Sequence, residues 1–377
     1  MPERWLREYL GGKGLGARYL YDRVDPATDP LDAGNLLAFM FGPLSGYLPG
    51  EQRYAVITKS PLTGAFLDSY SGGEFARRLS GALEDCLGIL VTGRADSPVQ
   101  LAVDGGSCRV EPTEHWGRDT VETAHAFPDA AVACVGPAGE RGIVYATVAS
   151  DAGEHHAGRG GAGTVMGNKR LKAIVVRGDP PEPTPRLREL RERYEAAYVD
   201  HETGEWQAAG GTLESVDFAN EIGALATEGW QASRFEGIAG ISIEATDDAA
   251  VGRESGAVPG DFRFETDDGE VVLRGAAPMT LGAGLGIDHI EGVARVAESC
   301  DRFGIDVIDA GNAVAWTMRA HEAGLVEYPI AFGDVDGAVA LIEAIATQTV
   351  GEGGADGDAL VAALAEGVDT ASDRFGG

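Results

Sequence analysis

Short β-branched runs bounded by glycine and proline dominate the first half of the chain. Four of these runs predict strands, at 54–58, 88–92, 99–103 and 173–177. Further along, apolar residues recur at helical spacing, in the segments 187–199, 290–303, 311–323, 335–349 and 359–374. One hairpin is predicted at 262–273, around an Asp-Asp-Gly turn. The pattern therefore predicts an α+β fold in which a β-rich first domain is followed by a mainly helical one.

A proline-rich stretch separates these two regions. Residues 179–185 read Asp-Pro-Pro-Glu-Pro-Thr-Pro, a composition typical of a stiff linker. We therefore predict a β domain at 1–178, a linker at 179–187 and a helical domain at 188–377.

The charge of the chain is strongly acidic. Aspartate and glutamate number 60 against 30 lysines and arginines, which gives a net charge of −30, and only four residues are lysine. Such a surface repels nucleic acid and anionic membranes. Because the acids are spread along the whole chain, we interpret them as a solvated surface of a halophilic protein, whose self-repulsion is screened by salt. Neither a long apolar run nor a signal-like N-terminus is found, so the cytoplasm is the expected compartment.

The spacing of the cysteines is not typical of a zinc site or of a disulfide framework. Cys86, Cys108, Cys134 and Cys300 are scattered and form no CxxC pair. This pattern is not that of a zinc site or a disulfide framework, and each residue is interpreted as a small buried hydrophobe.

Two glycine-rich segments near the N-terminus combine backbone donors with basic side chains. Residues 11–16 (Gly-Gly-Lys-Gly-Leu-Gly) precede a helical pattern, and are either an anion-binding loop or a tight turn into the helix. Arg53, the stretch 59–64 and the stretch 68–73 bring basic groups, hydroxyls and paired glycines together. They fit the edge of a phosphate or pterin, or ordinary hairpin turns.

Two later segments carry further candidate chemistry. In 155–172, several glycines lie beside Arg159 and Lys169, and cations retained in an acidic chain suggest an anionic ligand. The adjacent His155 and His156 are metal ligands or, in the plainer interpretation, a pair of loop histidines. At 301–306 (Asp-Arg-Phe-Gly-Ile-Asp), Gly304 is predicted to end a helix in the left-handed conformation. The two aspartates there are either solvated acids or acceptors for the N–H groups of a heterocycle.

Taken in order, these segments resemble one known family. They include GGKGLG, GPLSG at 42–46, KSPLTG, VTGRADSPVQL, HWGRDT at 115–120, GPAGE at 136–140, GRGGAGTVMGNKRLKAIVVRG and DRFGID. Their order and spacing resemble the aldehyde ferredoxin oxidoreductase family. The resemblance implies a tungsten or molybdenum atom held by two pterin dithiolenes, with a magnesium ion bridging their phosphates. It also implies a [4Fe-4S] cluster that passes electrons to ferredoxin, a saddle of two β-sheets under the cofactor, and oxidation of aldehydes to carboxylates.

The resemblance also suggests site residues. Arg53, Gly72, Gly158 and Arg159 match pterin-contacting positions, and Asp301, Ile305 and Asp306 fall on the DxxGLD pterin motif, with isoleucine for leucine. Three proposed cofactor positions depart from the family pattern: Tyr70 replaces asparagine, while His155 and His156 replace arginine and alanine. Because backbone carbonyls hold part of the family's magnesium there, these replacements are compatible with binding.

The cluster-binding pattern is where the chain departs most from the family. The family's CxxCxxxC positions correspond to Ser255, Val258 and Phe262, and valine and phenylalanine offer iron no ligand. An acidic segment near the substrate corresponds to Ala-Pro-Met-Thr at 277–280. We further expect the family's third domain, with the second pterin motif, to be missing from this chain, so that no metal ligands and no catalytic residue are assigned.

Three interpretations of function follow, because some motifs match the family and others depart from it. The chain is an oxidoreductase or a piece of one, acting on a small aldehyde with ferredoxin as partner, as a homodimer or with a complementing C-terminal chain. Alternatively, it is a non-catalytic pterin-binding or scaffold paralogue that lacks the cluster. The third interpretation is a decaying gene whose product binds nothing.

Overall fold

The structure, a computed structural model, describes residues 2–47, 53–83, 85–349 and 354–376. The chain forms two compact units. The first comprises residues 1–194 and 302–305, and the second comprises residues 195–301 and 306–377.

The first unit alternates short helices and strands. Its elements are α1 (Glu3–Tyr9), α2 (Gly12–Arg23), β1 (Leu37–Met40), β2 (Tyr54–Lys59), β3 (Phe66–Ser71), α3 (Glu74–Ala82), β4 (Gly88–Val91), β5 (Val99–Asp104), β6 (Ser107–Pro112), α4 (Thr120–His125), β7 (Ala131–Cys134), α5 (Pro137–Arg141), β8 (Val148–Ser150), β9 (His155–Ala157), α6 (Ala162–Asn168) and β10 (Leu171–Arg177). The four strands expected from the sequence are β2, β4, β5 and β10, and all four predictions are confirmed.

Two sheets build this unit. The first has the order β3-β2-β1-β4 and is antiparallel throughout. The second has the order β6-β5-β10-β7-β8-β9, in which only the β5–β10 pair is parallel.

The core follows the alternation of side chains along the strands. In β1, Leu37 and Phe39 join the main core, which also contains Ile174 and Val176 of β10 together with residues of α3 and α6. Ala38 and Met40 point to the other face of the first sheet, where α1 and α2 cover them. A strand that is buried on both faces needs no polar positions, which explains the unbroken apolar run at 36–41.

The second unit is mainly helical. After α7 (Pro185–Val199), which crosses from one unit to the other, it contains α8 (Glu202–Ala209), α9 (Glu214–Ile222), α10 (Ile243–Ala249), β11 (Gly252–Arg253), β12 (Phe262–Glu265), β13 (Glu270–Leu273), α11 (Ile290–Phe303), α12 (Val307–Glu322), α13 (Val335–Thr347), α14 (Gly354–Ala365) and α15 (Val368–Phe375). The predicted hairpin is β12–β13, paired from Phe262–Leu273 to Glu265–Glu270. The helix predicted at 359–374 is two helices, because Gly367 interrupts it with a positive φ of 108°.

The predicted fold class is confirmed. Two sheets lie in the N-terminal part, and helices dominate after the proline-rich stretch. Within the described ranges, no helix is both long and apolar enough to cross a membrane.

Candidate functional site

Arg53 and Tyr70, two of the predicted cofactor residues, line one cavity of about 270 Å3 in the first unit. The start of α2, at Gly12 and Lys13, and the end of β1 form its other walls. Sheet register explains the position of Tyr70, because it pairs with Ala55, which lines the same cavity. The cavity therefore combines two cationic side chains with the N-terminal end of a twelve-residue helix, whose dipole is positive there.

A chain of polar contacts joins α2 to β3 beside this cavity. Asp68 Oδ2 forms an ion pair with Lys13 Nζ at 2.8 Å and accepts a hydrogen bond from the Tyr70 hydroxyl at 2.8 Å. Desolvation, followed by the contact with Asp68, raises the pKa of Tyr70 to about 12. Tyr70 therefore stays a neutral hydrogen-bond donor at physiological pH.

The glycines of 11–16 have different roles in the structure. Gly12 is the first helical residue, with φ of +52°, and a Cβ built there would meet no atom within 4 Å. A Cβ on Gly16 would instead lie 2.1 Å from Ile57 Cδ1, so this glycine lets α2 pack closely on β2. The segment is therefore the first turn of α2, and at Gly12, whose N–H donates to the Phe41 carbonyl at 2.9 Å, only the absence of a side chain leaves space.

The other predicted residues of the first unit lie beyond the opposite face of β3. Ser69 donates to the Gly158 carbonyl at 2.5 Å, and the hydroxyls of Ser71 and Ser150 are 3.0 Å apart. Gly72 follows directly and is buried at the start of α3. The structure thus groups Gly72, Gly158 and β9 on this side, separately from the cavity of Arg53 and Tyr70.

His155 and His156 lie in strand β9, and the interpretation of a loop pair is wrong. The cause is pairing with β8, in which Ser150 faces His155 and Ala149 faces His156. His156 Nε2 donates to the Gly153 carbonyl at 2.8 Å, so Nδ1 accepts from the Thr147 hydroxyl at 2.7 Å. These bonds hold the ring of His156 in one orientation.

His155 belongs to a small cluster with a partly buried carboxylate. Its Nε2 lies 4.0 Å from Asp151 Oδ2, which also accepts the Glu74 backbone N–H at 3.1 Å. Burial raises the pKa of Asp151 to about 7. A Cβ on Gly73 would lie 1.6 Å from the same carboxylate oxygen, so the paired glycines make room for this cluster.

Lys169 is bound within the protein, contrary to the interpretation that it helps to mark an anionic ligand, and so is Lys172. Lys169 Nζ donates to the Ala33 and Gly93 carbonyls at 3.1 Å each, and burial lowers the pKa of this lysine to about 8. Lys172 is fully buried, and its Nζ lies 2.6 Å from Glu140 Oε1. Arg159 is exposed and adopts a left-handed φ of +43° beside Gly158.

The segment 301–306 ends α11 as predicted, with Gly304 at φ +70°. In the first unit, Ile305 forms a β-bridge to Ala146, and the Thr147 N–H donates to the Gly304 carbonyl at 2.8 Å. In the second unit, Asp306 caps α12, because its Oδ1 accepts the N–H groups of Ile308 and Asp309 at 3.1 and 3.0 Å. Oδ1 of Asp306 is therefore occupied in capping α12. Asp301 lies in the last turn of α11.

The family's cluster positions do not form a metal site in this chain. Phe262 is buried in β12 under the Arg253 guanidinium, which lies 4.3 Å from the ring centroid, while Ser255 and Val258 lie in the preceding segment. In the described part of the chain, no group of three histidine, cysteine or acidic side chains is arranged to hold a metal. The stretch 277–280, which the sequence comparison set against an acidic segment of the family, lies at the π-helical turn Pro278–Gly282.

Sequence reasoning missed the pairs that join distant motifs. Arg302 of the 301–306 segment binds Asp119 of the 115–120 segment at 2.7 Å, and Lys172 binds Glu140 of 136–140. The available signal for these ion pairs was that motifs far apart along the chain contain charged residues of opposite sign. Lys13 and Asp68 form a third such pair, next to the cavity.

Comparisons with known proteins agree with these motifs. The sequence family described as "Aldehyde ferredoxin oxidoreductase, N-terminal domain" matches residues 1–178, and "Aldehyde ferredoxin oxidoreductase, domains 2 & 3" matches residues 189–377. The tungsten-containing aldehyde ferredoxin oxidoreductase of Pyrococcus abyssi is 33% identical over 402 residues, which cover 100% of this chain and 64% of that protein. The protein of the same description from Pyrococcus horikoshii is 32% identical, over 89% of this chain and 59% of its own length.

A solved structure shares the fold. It is described as the active site complex BamBC of benzoyl coenzyme A reductase in complex with 1,5-dienoyl-CoA, and it superposes with a TM-score of 0.83 at 24% identity. The match covers 100% of this chain and 60% of that chain. The chain thus spans about three-fifths of the length of each of these relatives. Because the two family matches together extend over nearly all of its residues, the chain belongs to the aldehyde ferredoxin oxidoreductase family of oxidoreductases.

Proposed function

We propose that this chain is the cofactor-holding part of a tungsten-pterin oxidoreductase that oxidises aldehydes to carboxylates. Membership of the family is the observation that carries the proposal, and the tungsten-containing relatives favour tungsten over molybdenum. Because the chain matches only part of the length of those relatives, the activity of a whole enzyme is part of the proposal.

The cavity of Arg53 and Tyr70 fits a phosphorylated pterin. Arg53 supplies positive charge, as does Lys13 in its pair with Asp68. The Tyr70 oxygen, whose proton is donated to Asp68, can accept a ring N–H, and Gly12 adds space because it has no side chain, although its own N–H is bonded to the Phe41 carbonyl. These are the groups that bind a phosphate ester and a polar heterocycle. A tungsten-pterin group, when bound, supplies the redox chemistry, whereas the role of the protein is to bind and orient it.

The proposed cofactor contacts are the positions suggested by the family motif. In the first unit they are Arg53, Tyr70, Gly72, His155, His156, Gly158, Arg159 and Ile305, and in the second unit they are Asp301 and Asp306. The fixed ring of His156 favours a contact through its backbone, since both ring nitrogens already have partners. A magnesium ion between pterin phosphates is part of the same proposal.

The residues at the family's cluster positions do not fit a [4Fe-4S] cluster. Of Ser255, Val258 and Phe262, only serine carries a polar atom, and Phe262 is packed into a β-hairpin. We therefore propose no electron transfer through a cluster in this chain. Ferredoxin, a homodimer and a complementing chain remain candidate partners of the enzyme, and an aldehyde is the proposed substrate.

Elemental analysis tests the proposal. The protein, purified from its native host in high salt, is expected to contain tungsten near one atom per chain and to oxidise an aldehyde with an artificial electron acceptor. Arg53→Gln should retain at least about tenfold less tungsten per chain than the wild type, since one charge-assisted contact is worth a few kcal/mol. Arg109→Gln, which removes an exposed arginine of β6, is the matched control.

The outcomes separate the alternatives. Tungsten without aldehyde oxidation would favour the non-catalytic pterin-binding protein. An absence of tungsten and molybdenum from the wild-type protein would contradict the proposal.

A further inference from the structure

A second cavity in the first unit is lined by three arginines. It measures about 460 Å3, and Arg94, Arg141 and Arg170 line it together with Trp116 and Asn168. None of these residues belongs to the proposed pterin site. The arginines come from the turn after β4, the end of α5 and the residue before β10, so the fold rather than a local repeat brings them together.

The wall of this cavity is cationic in a chain of net charge −30. Glu140 is the one carboxylate among the described lining residues, and it is already paired with Lys172 at 2.6 Å and accepts the Gly117 N–H at 2.7 Å. Among the residues that the structure describes, no carboxylate lies within ion-pairing distance of the Arg94, Arg141 or Arg170 guanidinium. Glu140 also feels the charge of Arg141, but because this one carboxylate is shared with Lys172, the wall of the cavity carries more positive than negative charge.

Two of the polar groups are held in place by the backbone around them. Arg170 donates from Nη1 to the Asp96 carbonyl, and Asn168 donates from Nδ2 to the Leu31 carbonyl. Arg170 also adopts a left-handed φ of +57°, which is uncommon for a residue with a side chain. Strained backbone of this kind is concentrated at functional sites, and here it directs an arginine toward the cavity that it lines.

The chemistry of these groups indicates the class of ligand. Guanidinium groups bind phosphate oxygens through paired N–H donors, and they do so better than lysine because their geometry is planar and fixed. A volume of about 460 Å3 lies in the usual range for small-molecule sites and exceeds what a single inorganic ion needs. Trp116 adds an apolar surface for the organic part of a ligand.

We propose that this cavity is a binding site for a small phosphorylated metabolite, whose phosphate lies among Arg94, Arg141 and Arg170. The site is independent of the pterin cavity and of the redox activity.

Calorimetric titration of the full chain with glucose 6-phosphate tests the proposal, with glucose as the uncharged control. The titration is run at the lowest potassium chloride concentration that keeps the protein folded, because salt screens exposed charges. Saturable binding at one site is expected for the phosphate ester and none for glucose. Inorganic pyrophosphate, as a second probe, is expected to compete.

Matched variants distinguish the site from general charge attraction. Arg94→Gln and Arg141→Gln should each weaken binding at least about tenfold, since a charge-assisted bond is lost in each. Both side chains are exposed, so the fold should be retained, as circular dichroism will show. Arg177→Gln removes an exposed arginine at the end of β10, which does not line the cavity, and should leave the affinity unchanged. Equal weakening by all three variants, or no binding of either phosphate to the wild type, would overturn the proposal.

Discussion

Arg302 donates from both Nε and Nη2 to a single carboxylate oxygen of Asp119, at 2.9 and 2.7 Å. The other oxygen of Asp119 accepts the Glu122 N–H at 2.7 Å and completes a capping box at the start of α4. Two segments that are 183 positions apart in the chain are thus joined through one buried carboxylate. Part of the 301–306 motif therefore stabilises the first unit and is not explained by cofactor binding alone.

Loss of this carboxylate should be costly for the fold. Asp119→Asn retains a cap acceptor but removes the negative charge that binds Arg302 here, and we expect the free energy of unfolding to fall by about 1–3 kcal/mol. Asp119→Ala also removes the cap, which adds about 1 kcal/mol. Denaturant unfolding in high salt measures both values.

An exposed ion pair provides the control for this prediction. Arg7 and Glu3 are paired at 2.7 Å, with side-chain exposures of 78% and 77%. Arg7→Gln should therefore change the stability by less than about 0.5 kcal/mol. If Asp119→Asn had an equally small effect, the structural role of the Asp119–Arg302 pair would be wrong.

The buried pair of Lys172 and Glu140 gives a second prediction. Lys172 Nζ also donates to the Arg118 and Val135 carbonyls at 2.6 and 2.7 Å, so Lys172→Met leaves a charge and two acceptors without their donor. We expect a loss of about 3–5 kcal/mol. Desolvation already raises the pKa of Glu140, and the lysine opposes this rise. Glu140 should therefore take up a proton more readily in the variant.

A double-mutant cycle measures the coupling of this pair. Adding Glu140→Gln to Lys172→Met should restore part of the lost stability, because the uncompensated buried charge is removed. Strictly additive effects of the two substitutions would contradict a direct interaction between the two charges.

Strand and helix positions could be predicted from the sequence because burial follows local pattern. The run at 54–58 became β2, which is buried on both faces, and the helical spacing at 290–303 became α11, which buries its apolar face. The roles of the cations could not be predicted in this way. Lys169 bonds carbonyls that lie 136 and 76 residues away, and nothing in the local sequence reveals such partners.

The candidate site was only partly accessible to sequence reasoning for the same reason. Arg53 and Tyr70 share a cavity because β2 and β3 pair in a register that the chain alone does not specify. Glycines were equally ambiguous, since Gly12 has open space where a side chain would be while Gly16 permits close packing. Their different surroundings are properties of the fold and not of the motif.

Asp151 should make stability depend on pH. Burial raises the pKa of this carboxyl from 3.8 to about 7, so the folded chain binds more protons than the unfolded chain between these values. The contribution of Asp151 to stability is thus fully present below pH 3.8 and is lost as the pH rises to about 7. Asp151→Asn should remove this loss, and at pH 8 it should be more stable than the wild type by roughly 1–3 kcal/mol.

Urea midpoints between pH 5 and pH 8, at about one-unit steps, measure this difference. Asp104→Asn, at the exposed end of β5, is the control and should leave the pH profile unchanged. A difference between Asp151→Asn and the wild type that does not vary with pH would argue against a protonated Asp151 in the fold.

The negative surface should make the fold dependent on salt. The net charge of −30 produces self-repulsion in the compact state, and the screening length shortens from about 10 Å at 0.1 M salt to about 3 Å at 1 M. We expect the thermal midpoint to rise with potassium chloride over this range. A midpoint that falls as the salt concentration rises would contradict this interpretation of the acidic surface.

The close packing of α2 on β2 permits a test in which one substitution rescues another. A Cβ at Gly16 would lie 2.1 Å from Ile57 Cδ1 and 3.0 Å from Met40 Cγ, so either these side chains must change conformation or α2 must move away from the sheet. Gly16→Ala should therefore destabilise the protein by about 1–2 kcal/mol, although alanine is the better helix former. Ile57→Val deletes the clashing Cδ1 methyl and, alone, should cost about 1 kcal/mol through the space left behind. In the double variant the added methyl occupies that space, so the stability should exceed that of Gly16→Ala alone. Thermal unfolding of the wild type, the two single variants and the double variant measures the coupling. If the loss of stability in the double variant equalled the sum of the two single losses, α2 would have to move at this contact without a penalty from Ile57.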